Sequence, residues 1–96
     1  MNKVKPTPEQ EKKIWQMVDD KHIFVGELVS VDMFGEPFDM IVFFYNPDPL
    51  SKPSTNYDCR YLCYGLNAIN VMDDNDAVSK NMDYICAALI NEGGLL

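Results

Sequence analysis

The stretch Ile23–Tyr45 constrains the fold more than any other. It reads IFVGELVSVD, then MFGEP, then FDMIVFFY. Two runs rich in β-branched and aromatic residues flank a short segment holding Gly35 and Pro37, which predicts a β-hairpin. In the first run Ile23, Val25, Val29 and Val31 share one face with Glu27, while Phe24, Gly26, Leu28 and Ser30 share the other. In the second run Phe38, Met40, Val42 and Phe44 alternate with Ile41, Phe43 and Tyr45, so both faces are apolar from Met40 onward. Such a strand is either central and covered on both sides, or it turns one side to a partner. Two helices in a chain of 96 residues cover both faces with difficulty. The expectation is therefore a sheet that meets something else through Ile41, Phe43 and Tyr45, a second copy of the chain included.

The segments around the hairpin complete an α+β reading. Thr7 can cap a helix, Pro8 suits its first position and Gln10 completes a capping box, so a helix is expected to about Asp20. Ile14, Trp15 and Val18 give it a narrow apolar stripe. After the hairpin, 46–56 carries three prolines and several turn formers and reads as a loop, with Leu50 as a lone apolar anchor. Segment 57–72 is ambiguous between helix and strand. Gly65, Asn67 and Asn70 weaken a helix, which favours a third strand near 59–66 and then a turn or short strand through Val71. Asp73, Asp74 and Asp76 suit a helix N-terminus. They fail as a calcium loop, because Val78 and Tyr84 stand where a Gly and an acid are required. Val78, Met82, Ile85 and Leu89 then form one helical stripe, with Gly93 or Gly94 as the C-terminal cap and Leu95 packing back on Ile90.

The expected architecture is one domain over 1–96, with a small antiparallel sheet of three to four strands between an N-terminal and a C-terminal helix, in the order α-β-β-β-α. Both helices are expected on one face. Residues 1–6 read as a flexible basic tail and not as an export signal, since the segment after them is polar. No stretch approaches the length of a membrane span. Cys59, Cys63 and Cys86 then read as reduced thiols in a cytoplasmic protein.

Catalytic apparatus is hard to find. His22 is the one histidine, placed at a helix–strand junction, where it reads as an exposed residue without a catalytic partner. Cys59 and Cys63 are four apart, not at zinc-knuckle spacing, so no metal site is expected. Gly26, Gly35 and Gly65 are isolated, which excludes a Gly-rich phosphate loop. No cofactor and no enzymatic activity are expected.

Charge and tyrosines point toward binding. The net charge is −7, and residues 22–96 hold eleven acids against three basic residues, a balance of −8. That surface repels phosphate backbones and attracts a basic partner. Of the five tyrosines, Tyr45, Tyr57, Tyr61 and Tyr64 fall within twenty residues, the kind of side chain enriched in binding surfaces. Gly26-Glu27-Leu28-Val29-Ser30-Val31-Asp32 resembles the Gly-x-Leu-x-x-x-Asp core of Sm-like RNA-binding proteins over about ten residues. The Asn that should follow the Asp is absent and no second Sm motif follows, so the resemblance is set aside.

The leading expectation is a small acidic, non-enzymatic protein-binding module. Its interface residues would be Ile41, Phe43, Tyr45, Leu50, Tyr57, Tyr61, Tyr64, Asp73, Asp74 and Asp76. Its partner would be a larger basic or nucleic-acid-binding protein that it inhibits, as phage-encoded proteins do to host enzymes or defence systems in the host cytoplasm; this last step is analogy. A different class is a small-molecule binder or minor enzyme with a pocket lined by Tyr61, Cys63 and Tyr64. A third is a structural subunit that forms homodimers through the sheet.

Overall fold

A computed structural model describes residues 3–33, 36–47, 59–92 and 94–96. The elements run α1 (Pro8–Asp19), β1 (Ile23–Met33), β2 (Glu36–Tyr45), β3 (Arg60–Gly65), α2 (Asp74–Lys80) and α3 (Met82–Asn91). The three strands form one antiparallel sheet in the order β1-β2-β3, so the chain is α+β as its pattern predicts. Pairing in the hairpin runs from Ile23 opposite Tyr45 to Met33 opposite Glu36. Its tip, with the Pro-rich loop from residue 48, lies outside the described residues.

Each end of α1 is closed by its own sequence. Thr7 accepts from the Gln10 amide (3.2 Å), and Gln10 Oε1 accepts from the Thr7 amide (3.0 Å), the reciprocal capping box. At the other end Lys21 takes a left-handed conformation (φ 66°). Its amide reaches the Val18 carbonyl (3.2 Å), and the His22 amide reaches Met17 (2.8 Å). Those two bonds make a Schellman cap, which turns the chain directly into β1. Residues 3–6, expected as a loose tail, are tied down in part, because the Val4 amide donates to the Asp83 carbonyl (3.1 Å).

One core holds the domain together. It takes Ile14 from α1, Ile23 from β1, Ile41, Phe43 and Tyr45 from β2, Leu62 and Cys63 from β3, and the stripe Val78, Met82, Ile85 and Leu89. All three helices therefore cover the same face of the sheet. The other face carries Met40, Val42 and Phe44 with their cross-strand neighbours Phe24 and Tyr64. Met40 and Val42 are buried there too, and Phe44 is half-buried. The Phe44 ring lies against Gly26, in the space a β-carbon would need. β2 is the central strand, and its side chains from Met40 to Tyr45 are buried or half-buried on both faces.

Three departures from simple periodicity shape the rest. The register of β1 on β2 shifts between Val25 and Leu28, so the alternation expected for Ile23, Val25, Val29 and Val31 does not hold along the whole strand. A bulge in β3 sets Phe43 opposite Cys63 but Phe44 opposite Tyr61, so Leu62 and Cys63 both turn into the core. Strict alternation would put Tyr61 and Tyr64 on opposite sides. The bulge brings them to one side, with ring centroids 5.0 Å apart. The expected single C-terminal helix is broken at Asn81 (φ −121°, ψ 22°) into α2 and α3.

Candidate functional site

Asn81 explains the break and organises the most exposed apolar segment among the described residues. It is fully buried. Its Oδ1 accepts from the Asn67 amide (3.0 Å), and its Nδ2 donates to the carbonyls of Asn67 (3.1 Å) and Ala77 (2.9 Å). A helical Asn would leave such groups to solvent, whereas here the side chain is used to pin the end of β3 against the helix pair. Gly65 makes this approach available, because a β-carbon at that position would occupy the space of the Asn81 side chain.

From that pin the connection 66–73 is fastened along its length. Asn67 Nδ2 donates to the Lys80 carbonyl (2.8 Å). Lys80 Nζ donates to the carbonyl of Asn70 (2.8 Å) and, more weakly, to that of Ile69 (3.4 Å). Asn70 adopts a left-handed backbone (φ 58°), a conformation Asn accepts more readily than most residues. The Met72 amide donates to Asp76 Oδ2 (3.0 Å), which also pairs with Lys80 Nζ (3.1 Å). The Met72 amide, followed by the Lys80 ammonium, holds the Asp76 carboxyl below its ordinary value of 3.8. Asp73 caps α2 by accepting from the Asp76 amide (2.8 Å).

The loop's side chains do the opposite of its backbone. Ile69 is 81% exposed and Met72 88%, against 50% for Tyr61, the next most exposed large apolar residue among those described. Asp73 and Asp74 follow directly and are exposed as well. Below them run two clefts of about 340 and 240 Å³ that share Val25, Asp73 and Asp74 as walls.

The residues expected at an interface distribute unevenly over this structure. Ile41, Phe43 and Tyr45 lie under the helices, exposed by 4%, 0% and 8%, so they are core and not a contact surface. The reason is register: the helices claimed this face of β2, and the partner-facing role assigned to it does not hold. Leu50 and Tyr57 lie outside the described residues. Tyr61 and Tyr64 come together on the other face. Burial pushes the Tyr61 hydroxyl up, with Cys63 and Tyr64 adding to it. Asp73, Asp74 and Asp76 do cluster at the start of α2, but Asp76 is spent on Lys80 and Met72.

The pocket expected from Tyr61, Cys63 and Tyr64 forms only in part. Tyr61 and Cys63 line a cleft of about 230 Å³ with Tyr84 and Glu92. Tyr64, paired opposite Val42, does not line it. Burial pushes the Cys63 thiol up to about 12, so it is no thiolate nucleophile near neutral pH. Burial and the nearby Asp83 raise Cys86 as well. All three cysteines are free thiols. Among the described residues no three His, Cys, Asp or Glu side chains gather as metal ligands would.

His22 is not the exposed junction residue its position suggested. It is half-buried, with Nδ1 2.7 Å from the Asn46 carbonyl, and it stacks on Tyr45 with centroids 5.8 Å apart. Arg60 covers the same Tyr45 ring at 5.2 Å and pairs with Glu92 (3.2 Å). This arrangement ties the start of β1 to the end of β2 and accounts for the histidine structurally.

Ile69 and Met72 were missed as candidates. One signal existed: Ile69 stands between the turn formers Asn67 and Asn70, and Met72 between Asn70 and the acids Asp73, Asp74 and Asp76, in no periodic pattern. No protein-family model, no curated protein and no solved structure matches this chain.

Proposed function

We propose that this chain is a non-enzymatic protein-docking module whose contact element is the fastened connection 66–73. One observation carries the reading: Ile69 and Met72 stand bare on a loop whose backbone is hydrogen-bonded to α2. Exposed large side chains on a mobile loop lose much of their contact energy to ordering. A preorganised loop avoids that loss. Covering two such side chains contributes roughly 1.5–3 kcal/mol each. Association itself costs on the order of 4–15 kcal/mol, so this pair needs help from its surroundings.

The surroundings are acidic. Asp73 and Asp74 flank the loop, and the chain carries −7 overall. A basic partner surface is favoured in encounter and in fit. Inhibition belongs to the same proposal, because an acidic module seated on a basic, nucleic-acid-binding surface would compete with phosphate for it.

The test compares the wild-type chain with Ile69→Ser/Met72→Ser, each immobilised and exposed to extract of the native cell. A basic protein should be retained by the wild type and recovered about tenfold less on the double variant. Its retention should also fall as salt rises through about 0.1–0.3 M. Equal recovery on both chains removes the loop as the contact element. Retention indifferent to salt removes the charge-steered partner.

A further inference from the structure

We infer that the smaller cleft beside this loop receives a lysine or arginine side chain from an extended, partly apolar segment of the partner. This rests on the docking reading and names what docks. The floor of the cleft is apolar, made by Val25, Ile41, Ala68 and Val71, with Met72 beside them. Its acidic wall is Asp73 and Asp74, and no basic residue lines it.

The contrast with the neighbouring larger cleft selects the site. There the same two acids share the lining with Lys21, whereas no basic residue lines the smaller cleft. Among the described residues Asp74 forms no salt bridge and accepts no hydrogen bond. A trough with an apolar floor and an acidic end matches the two parts of a long cationic side chain. The methylene stem lies on Val25 and Val71, and the charged head reaches the carboxylates at the rim. A membrane headgroup layer is disfavoured by the same acids, and so is a nucleic-acid backbone. A small free amine would use the rim and leave the floor bare. The floor and the adjoining Met72 and Ile69 therefore argue for a peptide segment with apolar residues next to its cation.

The experiment is an amide NMR titration of the full chain with the peptide acetyl-Leu-Arg-Leu-Arg-Leu-amide. Its control is the isosteric peptide in which citrulline replaces both arginines. Shifts are expected to cluster on Val25, Ala68, Val71 and Asp74 and to approach saturation near about 1 mM peptide, the range of a single short motif. The citrulline peptide, or the Asp73→Asn/Asp74→Asn chain with the arginine peptide, should bind about tenfold more weakly. Asn at position 73 keeps the cap of α2, so this variant folds. Shifts scattered over the surface, equal affinity for both peptides, or no shift at about 1 mM each overturn the inference. The two readings also fail separately. If the peptide does not bind but Ile69→Ser/Met72→Ser still loses the cellular partner, the loop stands and the cleft falls. If the peptide titrates the cleft while that double variant keeps its partner, the cleft stands and the loop falls.

Discussion

Two apolar regions of this molecule look alike in composition and differ in fate. The face of the sheet turned away from the helices carries Met40, Val42 and Phe44 between Phe24 and Tyr64. The connection 66–73 carries Leu66, Ala68, Ile69, Val71 and Met72. Met40 and Val42 are exposed by only 8% and 7%, whereas Ile69 and Met72 are exposed by 81% and 88%. In a sheet each side chain has neighbours on both sides at about 5 Å, and aromatic rings from them spread over the centre. A loop has no such lateral neighbours. Apolar content alone therefore does not locate exposed apolar surface: Met40 and Val42 are covered, and Ile69 and Met72 are not.

The largest test of that contrast is a pair of truncations. Met40→Ala should cost about 2–3 kcal/mol, because it empties a packed site on the sheet. Met72→Ala should stay within about 0.5 kcal/mol, because it removes a side chain that touches little. Urea unfolding followed by circular dichroism measures both. A neutral Met40→Ala would return the outer sheet face to the list of contact surfaces.

The same contrast marks what the sequence makes legible. Local chemistry reads well. The capping box at Thr7 and Gln10, the acidic start of α2 and the stripe Val78, Met82, Ile85 and Leu89 stand where local signals place them. The hairpin forms where the two apolar runs predict it, although a register shift between Val25 and Leu28 breaks the expected alternation along β1. What fails is whatever depends on tertiary partners. The bulge at Leu62 comes from pairing with β2, and one extra residue moves Tyr61 to the side of Tyr64. The break at Asn81 comes from Asn67, fourteen residues away, which offers a buried Asn a better set of bonds than a continuous helix does. The choice of Ile41, Phe43 and Tyr45 over Met40 and Val42 as the interface side required knowing which face the helices take. No single strand encodes that.

Asn81 supplies the next test, intermediate in size. Asn81→Leu fills similar space but leaves the Asn67 amide and carbonyl without their partners. The Ala77 carbonyl, which is buried, loses its partner too, and the expected cost is about 2 kcal/mol, the penalty of an orphaned buried polar group. The damage should be local before it is global. Amide exchange at Asn67 and in the following loop should quicken more than exchange in β2, and partner retention should fall although Ile69 and Met72 are intact. If exchange rises uniformly, the pin serves only stability. The distinction between a fastened loop and a merely exposed one is then lost.

The smallest effect, and the most direct on the loop, concerns Asp76. Its carboxylate holds the Met72 amide and the Lys80 ammonium, and both interactions favour the charged form. The folded-state value is therefore depressed below 3.8. A depressed carboxyl contributes stability that is complete above its unfolded value and is lost as pH falls through the folded one. Between pH about 5 and 8 the loop should be insensitive to acid, and it should loosen only below the ordinary carboxyl range. The Met72 amide shift in an NMR titration reads this directly, with a midpoint expected below 3.8. Asp76→Asn should flatten that titration and weaken the grip of Lys80 while barely altering global stability, since the pair is solvent-facing. A midpoint at or above 3.8 would show that Asp76 does not hold the loop. Ile69 and Met72 would then be displayed on a segment fastened only at Asn67 and Asn70, and preorganisation could no longer account for their value as anchors.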